Sequence, residues 1–318
     1  MGRFRIFFVS DLHGSEVCFR KFLNAVPVHR PDLLVYGGDL MGKLLQPVFP
    51  RPGGGYRWVP TPGRPVDVTE AELPRIERAI ADRGAYALRV PEAEWAELAR
   101  RPDVLEERVR ALGLERARAW LALADQRLGA HGPLLVLNVG NDDTDALLAL
   151  LRESAPPCVR VPEGGFVDVG PYEIFGCGYA NMTPWRCPRD LEEPELAAVL
   201  ERTSAALGNP RRTLLDIHAP PLGTTIDLAP EVDRDRRPVT AAGEVVVGHV
   251  GSPSVRALLE RAGAVAGLHG HIHEAKGIDR VGTTPVFNPG SVYYSGTLQG
   301  VVIDLEGPEV VDHLFVTG

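Results

Sequence analysis

Cysteine and long apolar runs are both scarce in this 318-residue sequence, and their scarcity excludes several classes of protein. The four cysteines show neither paired metal-ligand spacing nor the density of a secreted disulfide scaffold. The opening run "MGRFRIFFVSDLHG" is interrupted by Asp11 and His13 before it reaches the length of a signal-peptide core or a membrane span. We therefore expect reduced thiols, a cytoplasmic protein and no membrane partner.

An excess of positive charge is also missing. The formal net charge is −8, whereas nucleic-acid binders usually present a basic stripe to the phosphates, so we expect no nucleic-acid partner. Lysine is rare, since only Lys21, Lys43 and Lys276 occur among 34 basic residues. A small anionic substrate bound at a cation is compatible with this charge. Nothing in the sequence fixes the oligomeric state.

Short apolar runs rich in β-formers alternate with amphipathic stretches, and this pattern predicts an α/β fold. No internal repeat or low-complexity tract interrupts it. The predicted strands cover residues 5–10, 32–37, 134–139, 172–178, 213–218 and 265–270, with two more around "VVIDL" and "VVDHLFV".

The alternation stops between residues 43 and 130. The segment "QPVFPRPGGGYRWVPTPGRP" is typical of a loop or irregular hairpin, because proline removes ladder donors and glycine loosens the backbone. A helix is predicted to start near Asp103, with Glu106 three positions later as a capping box. We predict one domain over residues 1–318 with a mainly helical insertion at about 43–130, either packed on the core or covering a substrate.

Oxygen and imidazole side chains follow five of the predicted strands, where loops of an α/β sheet converge. These residues are Asp11, His13, Asp39, Asn141, His218, His271 and His273. Carboxylate and amide oxygens suit hard divalent ions, and neutral imidazole suits transition metals. Seven ligands exceed the needs of one ion, so they indicate a bridged pair about 3.5 to 4 Å apart, an arrangement that hydrolyses phosphate esters.

The motifs "DLH", "GGD", "GND", "DIHAPP" and "GHIH", in this order, resemble the calcineurin-like metallophosphoesterase superfamily. Further segments, among them "GYANMTPWRCPRDLEEPEL" and "HGHIHEAKGID", look like one bacterial and archaeal branch of predicted phosphoesterases. The resemblance leaves out only the segment from about 43 to 130. It implies a four-layer α/β/β/α sandwich of two mixed β-sheets flanked by helices.

The resemblance also implies two ligand sets joined by one bridging aspartate. The first set is Asp11, His13 and His273, the bridge is Asp39, and the second set is Asn141, His218 and His271. Two divalent ions, manganese or iron with zinc and nickel as alternatives, would hold a bridging hydroxide that attacks phosphorus. The expected substrate is a small phosphodiester, with phosphomonoesters and nucleotide pyrophosphates as alternatives.

One residue departs from the family pattern. Many members have a histidine after the motif asparagine, implied to contact phosphate or protonate the leaving group, whereas this chain has Asp142. A carboxylate beside two cations stays ionised and cannot serve as an acid. We hypothesise that Asp142 positions a neighbour or a water, and that His249, His269 or solvent protonates the leaving group. Alternatively, Asp142 caps a helix and His269 is simply packed in the core.

Two segments are candidates for contact with the substrate. Ser252 precedes a proline and predicts a helix start, whose backbone amides either hold a phosphate or are only capped. Asn181, Thr183, Trp185 and Arg186 form the other candidate surface, in which Arg186 either binds a phosphate or lies in solvent.

The segment "NPGS" is predicted to be a structural turn under the site. A function of another class also remains open at this stage. With the same ligands, the chain could be a metal-binding regulatory scaffold with little turnover.

Overall fold

A computed structural model describes residues 2–60, 63–129 and 131–318. The strands are β1 (Phe4–Val9), β2 (Leu33–Gly37), β3 (Leu44–Pro50), β4 (Tyr56–Trp58), β5 (Val66–Val68), β6 (Ala85–Arg89), β7 (Leu134–Asn138), β8 (Val159–Arg160), β9 (Gly165–Asp168), β10 (Glu173–Cys177), β11 (Ala180–Asn181), β12 (Asp190–Leu191), β13 (Thr213–Ile217), β14 (Leu228–Pro230), β15 (Thr240–Ala241), β16 (Glu244–Val245), β17 (Val247–His249), β18 (Ala266–Leu268), β19 (Gly277–Val281), β20 (Thr284–Asn288), β21 (Gln299–Glu306) and β22 (Glu309–Thr317). The helices are α1 (Glu16–His29), α2 (Leu73–Asp82), α3 (Glu92–Leu98), α4 (Pro102–Leu128), α5 (Asp145–Ser154), α6 (Glu193–Ser204) and α7 (Pro253–Ala262).

Two mixed sheets form the centre of the molecule. The first has the strand order β22-β21-β1-β2-β7-β8, in which β1, β2, β7 and β8 run parallel and β21 runs antiparallel to both of its neighbours, β1 and β22. The second has the order β10-β13-β18-β20-β19, with only β19 antiparallel to its neighbour. All eight predicted strands are present.

Alternate side chains of each central strand enter different cores. Ile6 and Phe8 of β1 pack between the two sheets, together with Phe287 of the second sheet. Phe7 of the same strand faces the core under α1, α4 and α5, and Leu215 of β13 faces the core under α6 and α7. Because both faces of these strands are buried, their sequences are nearly continuous apolar runs. The four-layer α/β/β/α sandwich is therefore confirmed.

The insertion contains a sheet as well as helices. Strands β5, β4, β3 and β6 form a four-stranded sheet, and the segment predicted as a loop or irregular hairpin supplies the β3–β4 hairpin. Helix α4 begins at Pro102 after Arg101, with no side-chain cap, so the capping box predicted from Asp103 and Glu106 does not form. Residues 61, 62 and 130 of the predicted insertion lie outside the described residues.

Two further features concern the helices and the cysteines. Within the described ranges, no helix combines the length and the apolar character needed to cross a membrane. All four cysteines are free thiols, and three of them are buried.

Candidate metal centre

The seven predicted ligand residues meet at one edge of the sandwich, where loops leave both sheets. The loops after β1, β2 and β7 in the first sheet supply Asp11, His13, Asp39 and Asn141, and the loops after β13 and β18 in the second sheet supply His218, His271 and His273. Four of these residues, Asp11, His13, Asp39 and His271, have a positive φ between 41° and 68°. Such backbone is costly for residues other than glycine and concentrates at functional sites.

One group of side chains lies around His13. Its Nε2 is 3.1 Å from Nε2 of His273 and 3.5 Å from Oδ2 of Asp39. The same atom of His273 is 3.5 Å from Oδ1 of Asp11. Ligand atoms of Asp11, His13 and His273 thus lie within 4.8 Å of one another, and Asp39 approaches this group at His13.

A second group lies around Asn141. Its Oδ1 is 3.1 Å from Nε2 of His218 and 3.0 Å from Nδ1 of His271. His218 Nε2 is also 3.4 Å from Oδ1 of Asp39. The two oxygens of Asp39 thus face different groups, one towards His13 and the other towards His218.

Neighbouring hydrogen bonds fix the orientation of these side chains. Nδ1 of His218 contacts the carbonyl of Gly37 at 2.9 Å, which leaves Nε2 free to act as a ligand. The side-chain amide of Asn141 donates to Asp190 at 2.8 Å, which turns its oxygen towards the histidines. The sequence analysis did not identify Asp190, because nothing in the local sequence indicates that this carboxylate accepts a hydrogen bond from the distant Asn141.

The "NPGS" turn supports the loop that carries His271 and His273, so this prediction is confirmed. The side-chain amide of Asn288 donates to the carbonyl of Ile272 at 2.8 Å. Ser291 Oγ donates to the carbonyl of Asp11 at 2.6 Å. The turn therefore joins the ends of β1 and β18 beneath the site.

The electrostatics of the site fit a bound cation. Burial lowers the pKa of His218, but the carboxylates of Asp39 and Asp11 outweigh it and raise the value to about 10. Burial, reinforced by His218, lowers the pKa of His271 to about 4. The carboxylates thus favour a positive charge where the ligand atoms converge, which is a proton on His218 when no cation is bound, and His271 is neutral, as a metal ligand must be. These residues form a candidate site for divalent metal ions.

Asp142 lies beside this centre and pairs with a lysine that the sequence analysis missed. Its carboxylate forms an ion pair with Lys43 Nζ, and its backbone N–H donates to Asp39 Oδ1 at 3.0 Å. Asp142 does not cap helix α5, because Thr144 accepts the capping hydrogen bond. The rarity of lysine and its position four residues after Asp39 were the only signals in the sequence for Lys43.

The adjacent Asp143 holds the loop after β2. Its buried carboxylate accepts hydrogen bonds from the backbone N–H groups of Leu40 at 3.0 Å, Met41 at 2.9 Å and Gly140 at 2.9 Å. Burial and then the charge of Asp39 raise the pKa of Asp143 to about 7. Sequence inspection could not separate this structural aspartate from its neighbour Asp142.

A cavity of about 650 Å³ opens over the candidate metal centre. Asp39, Asn141, His271 and His273 contribute to its lining, and its volume is within the range of small-molecule sites. The rest of the lining is mainly apolar and includes Met182, Pro184, Trp185, Pro230, Val232 and Val250.

The two histidines considered for proton transfer lie elsewhere. His269 is fully buried, its Nδ1 contacts the carbonyl of Ile217 at 2.7 Å, and burial lowers its pKa to about 4. His249 is half-exposed and contacts the buried carboxylate of Asp227 at 2.7 Å. Neither histidine belongs to the cavity lining.

The candidate substrate residues divide into two groups. Asn181, Thr183 and Trp185 line the cavity, and the indole of Trp185 is largely exposed. Thr183 is held by Asp190, to which its hydroxyl donates at 2.5 Å. Arg186 lies in solvent, outside the cavity lining.

Ser252 does not offer a vacant phosphate site. It caps helix α7 by accepting from the backbone N–H of Val255. Its hydroxyl donates to Glu193 Oε1 at 2.6 Å, and the N–H of Ser254 donates to the same oxygen at 2.9 Å. The helix start thus contacts a carboxylate of the chain itself, which favours the second alternative, a capped helix start, over a phosphate site.

Comparisons with known proteins agree with this architecture. No family model matches the chain. The uncharacterized protein MJ1162 of Methanocaldococcus jannaschii is 31% identical over 123 residues, which cover 38% of this chain and about half, 49%, of that relative. The crystal structure of TT1561 from Thermus thermophilus matches 100% of this chain and 99% of its own at 14% identity and a TM-score of 0.54. Another solved structure reaches 18% identity and a TM-score of 0.56 over 100% of this chain and 99% of its own. At these identities, the two solved structures show that the chain shares their fold over its full length.

Proposed function

We propose that this protein is a dinuclear metal-dependent hydrolase of phosphate esters whose substrates are small phosphodiesters. The observation that carries the proposal is the position of Asp39. Its Oδ2 is 3.5 Å from His13 Nε2 and its Oδ1 is 3.4 Å from His218 Nε2. One carboxylate thus faces two separate ligand groups, as a bridging ligand between two ions must.

The ligand chemistry supports manganese or iron, with zinc and nickel as alternatives, because oxygen and imidazole donors occur in both groups. When bound, two such ions supply the activated water and offset the negative charge of the phosphate. In the proposed assignment, Asp11, His13 and His273 hold one ion, and Asn141, His218 and His271 hold the other. The hydrogen bonds that His218 donates to the Gly37 carbonyl and Asn141 donates to the Asp190 carboxylate keep the second group oriented.

Two observations support a diester over a monoester. The cavity is larger than a phosphate group, and its apolar lining suits a second organic substituent. No histidine other than the candidate ligands lines the cavity among the described residues. Without a general acid, a phosphodiester whose leaving alcohol is good is hydrolysed more readily than one whose leaving alcohol is poor.

The test combines elemental analysis with turnover of bis(p-nitrophenyl) phosphate and p-nitrophenyl phosphate after the protein is stripped and reloaded with manganese. We expect about two ions per chain and faster turnover of the diester. Asp39→Asn should lose metal and activity, whereas Asp103→Asn, on the exposed surface of α4, should lose neither.

The other outcomes are equally informative. Faster turnover of the monoester would replace the diester assignment by a phosphomonoesterase. Two bound ions without turnover of either compound would favour the metal-binding scaffold. A chain that binds no metal would overturn the proposal as a whole.

A further inference from the structure

Lys43 lines the cavity, whereas the other two lysines of the sequence make contacts elsewhere. Lys21 donates to the backbone carbonyls of Gly296 and Gly318, and Lys276 lies over the ring of Phe315. The side chain of Lys43 is 49% exposed, whereas its partner Asp142 is only 13% exposed. The ammonium group is thus held from one side by a nearly buried carboxylate while half of its side-chain surface remains open to a ligand.

The backbone that carries Lys43 is firmly anchored. Asp143 accepts the N–H groups of Leu40 and Met41, and the Tyr86 hydroxyl accepts the N–H of Gly42 at 2.9 Å. Both anchoring side chains are buried. Because Asp142 and Asp143 are consecutive, one loop fixes both the backbone before Lys43 and its ammonium group.

The charges of Lys43 and Asp142 explain why this ion pair suits a site that binds phosphate. The Asp142 carboxylate lies close enough to His13 and Asp39 that their ligand atoms are all within 4.8 Å of one another. Alone, it would repel an anionic substrate at this point. The contact with Lys43 offsets that charge and keeps an ammonium group, which has three hydrogen-bond donors, in the cavity lining.

The other basic residue of the lining offers no such arrangement. Arg236 is exposed on the loop between β14 and β15, where its backbone N–H donates to the carbonyl of Asp233 at 2.9 Å. Lys43 is therefore the cation that the fold positions next to the metal centre.

We propose that Lys43 Nζ binds a non-bridging oxygen of the substrate phosphoryl group and that Asp142 is a positioning residue that holds Lys43 in place. This inference rests on the proposed function, because it requires a phosphate ester at the metal centre. It assigns to Asp142 a role that acts through Lys43 and requires no proton transfer.

The test uses the full chain loaded with manganese. Binding of inorganic phosphate is measured by titration calorimetry, metal content by elemental analysis, and KM and kcat with bis(p-nitrophenyl) phosphate. Lys43→Met should weaken phosphate binding and raise KM by about tenfold or more, with the metal content unchanged. Lys43→Arg should recover most of the binding, and Lys276→Met, which alters an exposed lysine outside the cavity, should match the wild type.

Asp142→Asn tests the positioning role. It should weaken phosphate binding in the wild-type background and have no further effect in the Lys43→Met background, because both residues act through one ammonium group. Phosphate binding and KM within twofold of wild type in Lys43→Met would overturn the proposal. Loss of an ion in Asp142→Asn would make Asp142 a metal ligand and overturn its positioning role. A wild-type chain without metal would instead overturn the proposed function, and this inference with it.

Discussion

At the scale of single residues, the candidate metal centre depends on close approach between two loops. A Cβ at Gly140 would lie 2.1 Å from Asp39 Oδ1 and 2.4 Å from the backbone nitrogen of Asp39. Both distances are shorter than any normal contact, so only glycine lets the loop after β7 approach the Asp39 carboxylate this closely. The "GND" motif thus supplies a glycine that this approach requires as well as the candidate ligand Asn141.

Gly140→Ala should therefore displace Asp39 or the loop that carries Asn141. We expect a loss of metal content together with a decrease of about 1 to 3 kcal/mol in the free energy of unfolding. Elemental analysis and urea denaturation measure the two effects. Gly165→Ala is the matched control, because a Cβ there meets nothing within 4 Å. Full metal occupancy in Gly140→Ala would show that the loop adjusts without disturbing Asp39.

At the scale of elements, strand β1 is held in register by an ion pair as well as by its ladder. Arg5 on β1 contacts both oxygens of Asp304 on β21, at 2.7 Å and 2.8 Å. The hydrogen bond from Arg5 lowers the pKa of the nearly buried Asp304 carboxyl. Because Asp11 and His13 follow β1 directly, this contact stabilises the strand that presents them.

Asp304→Asn should destabilise the chain in a pH-dependent way. The folded-state pKa of Asp304 is below its unfolded value, so the contribution is complete well above pH 3.8 and is lost as the pH falls towards the folded-state pKa. We expect a deficit of about 1 to 2 kcal/mol near pH 7 that shrinks below about pH 5. Urea unfolding across this range measures it. Asp312→Asn, at an exposed position of β22 paired with Asp304, is the control and should show no comparable deficit.

The elements themselves were predictable to different degrees. Strands such as β1 and β2 are buried on both faces, so their apolar runs identify them without any knowledge of their partners. The sheet of the insertion was missed because β4 and β5 have only three residues each and β3 pairs in parallel with the distant β6. The predicted capping box failed because Pro102 already starts α4 one residue earlier.

At the scale of the whole molecule, the candidate ligands join the two sheets. Asp11, Asp39 and Asn141 belong to loops of the first sheet, and His218 and His271 belong to loops of the second. Ions bound between them would link both layers of the sandwich. Metal binding should therefore stabilise the folded chain as a unit, because the assembled ligand set exists only when both sheets are in place.

Removal of metal with a chelator should lower the Tm by about 5 °C or more, and added manganese should restore it. Differential scanning calorimetry of stripped and reloaded protein measures the shift. Asp39→Asn should show a much smaller difference between the two states. An equal Tm with and without metal would indicate that the ions do not link the sheets.

The sequence by itself determined the strand positions and the seven residues that the fold brings together, because burial and the carboxyl ends of strands leave local patterns in the chain. Only the tertiary structure decided which side chains face the cavity. It placed His269 in the core, turned His249 towards Asp227 and filled the amide site at Ser252 with Glu193. It also brought Lys43 to Asp142 across 99 positions of sequence. Such contacts join loops that are distant in the chain, and no local periodicity or spacing encodes them.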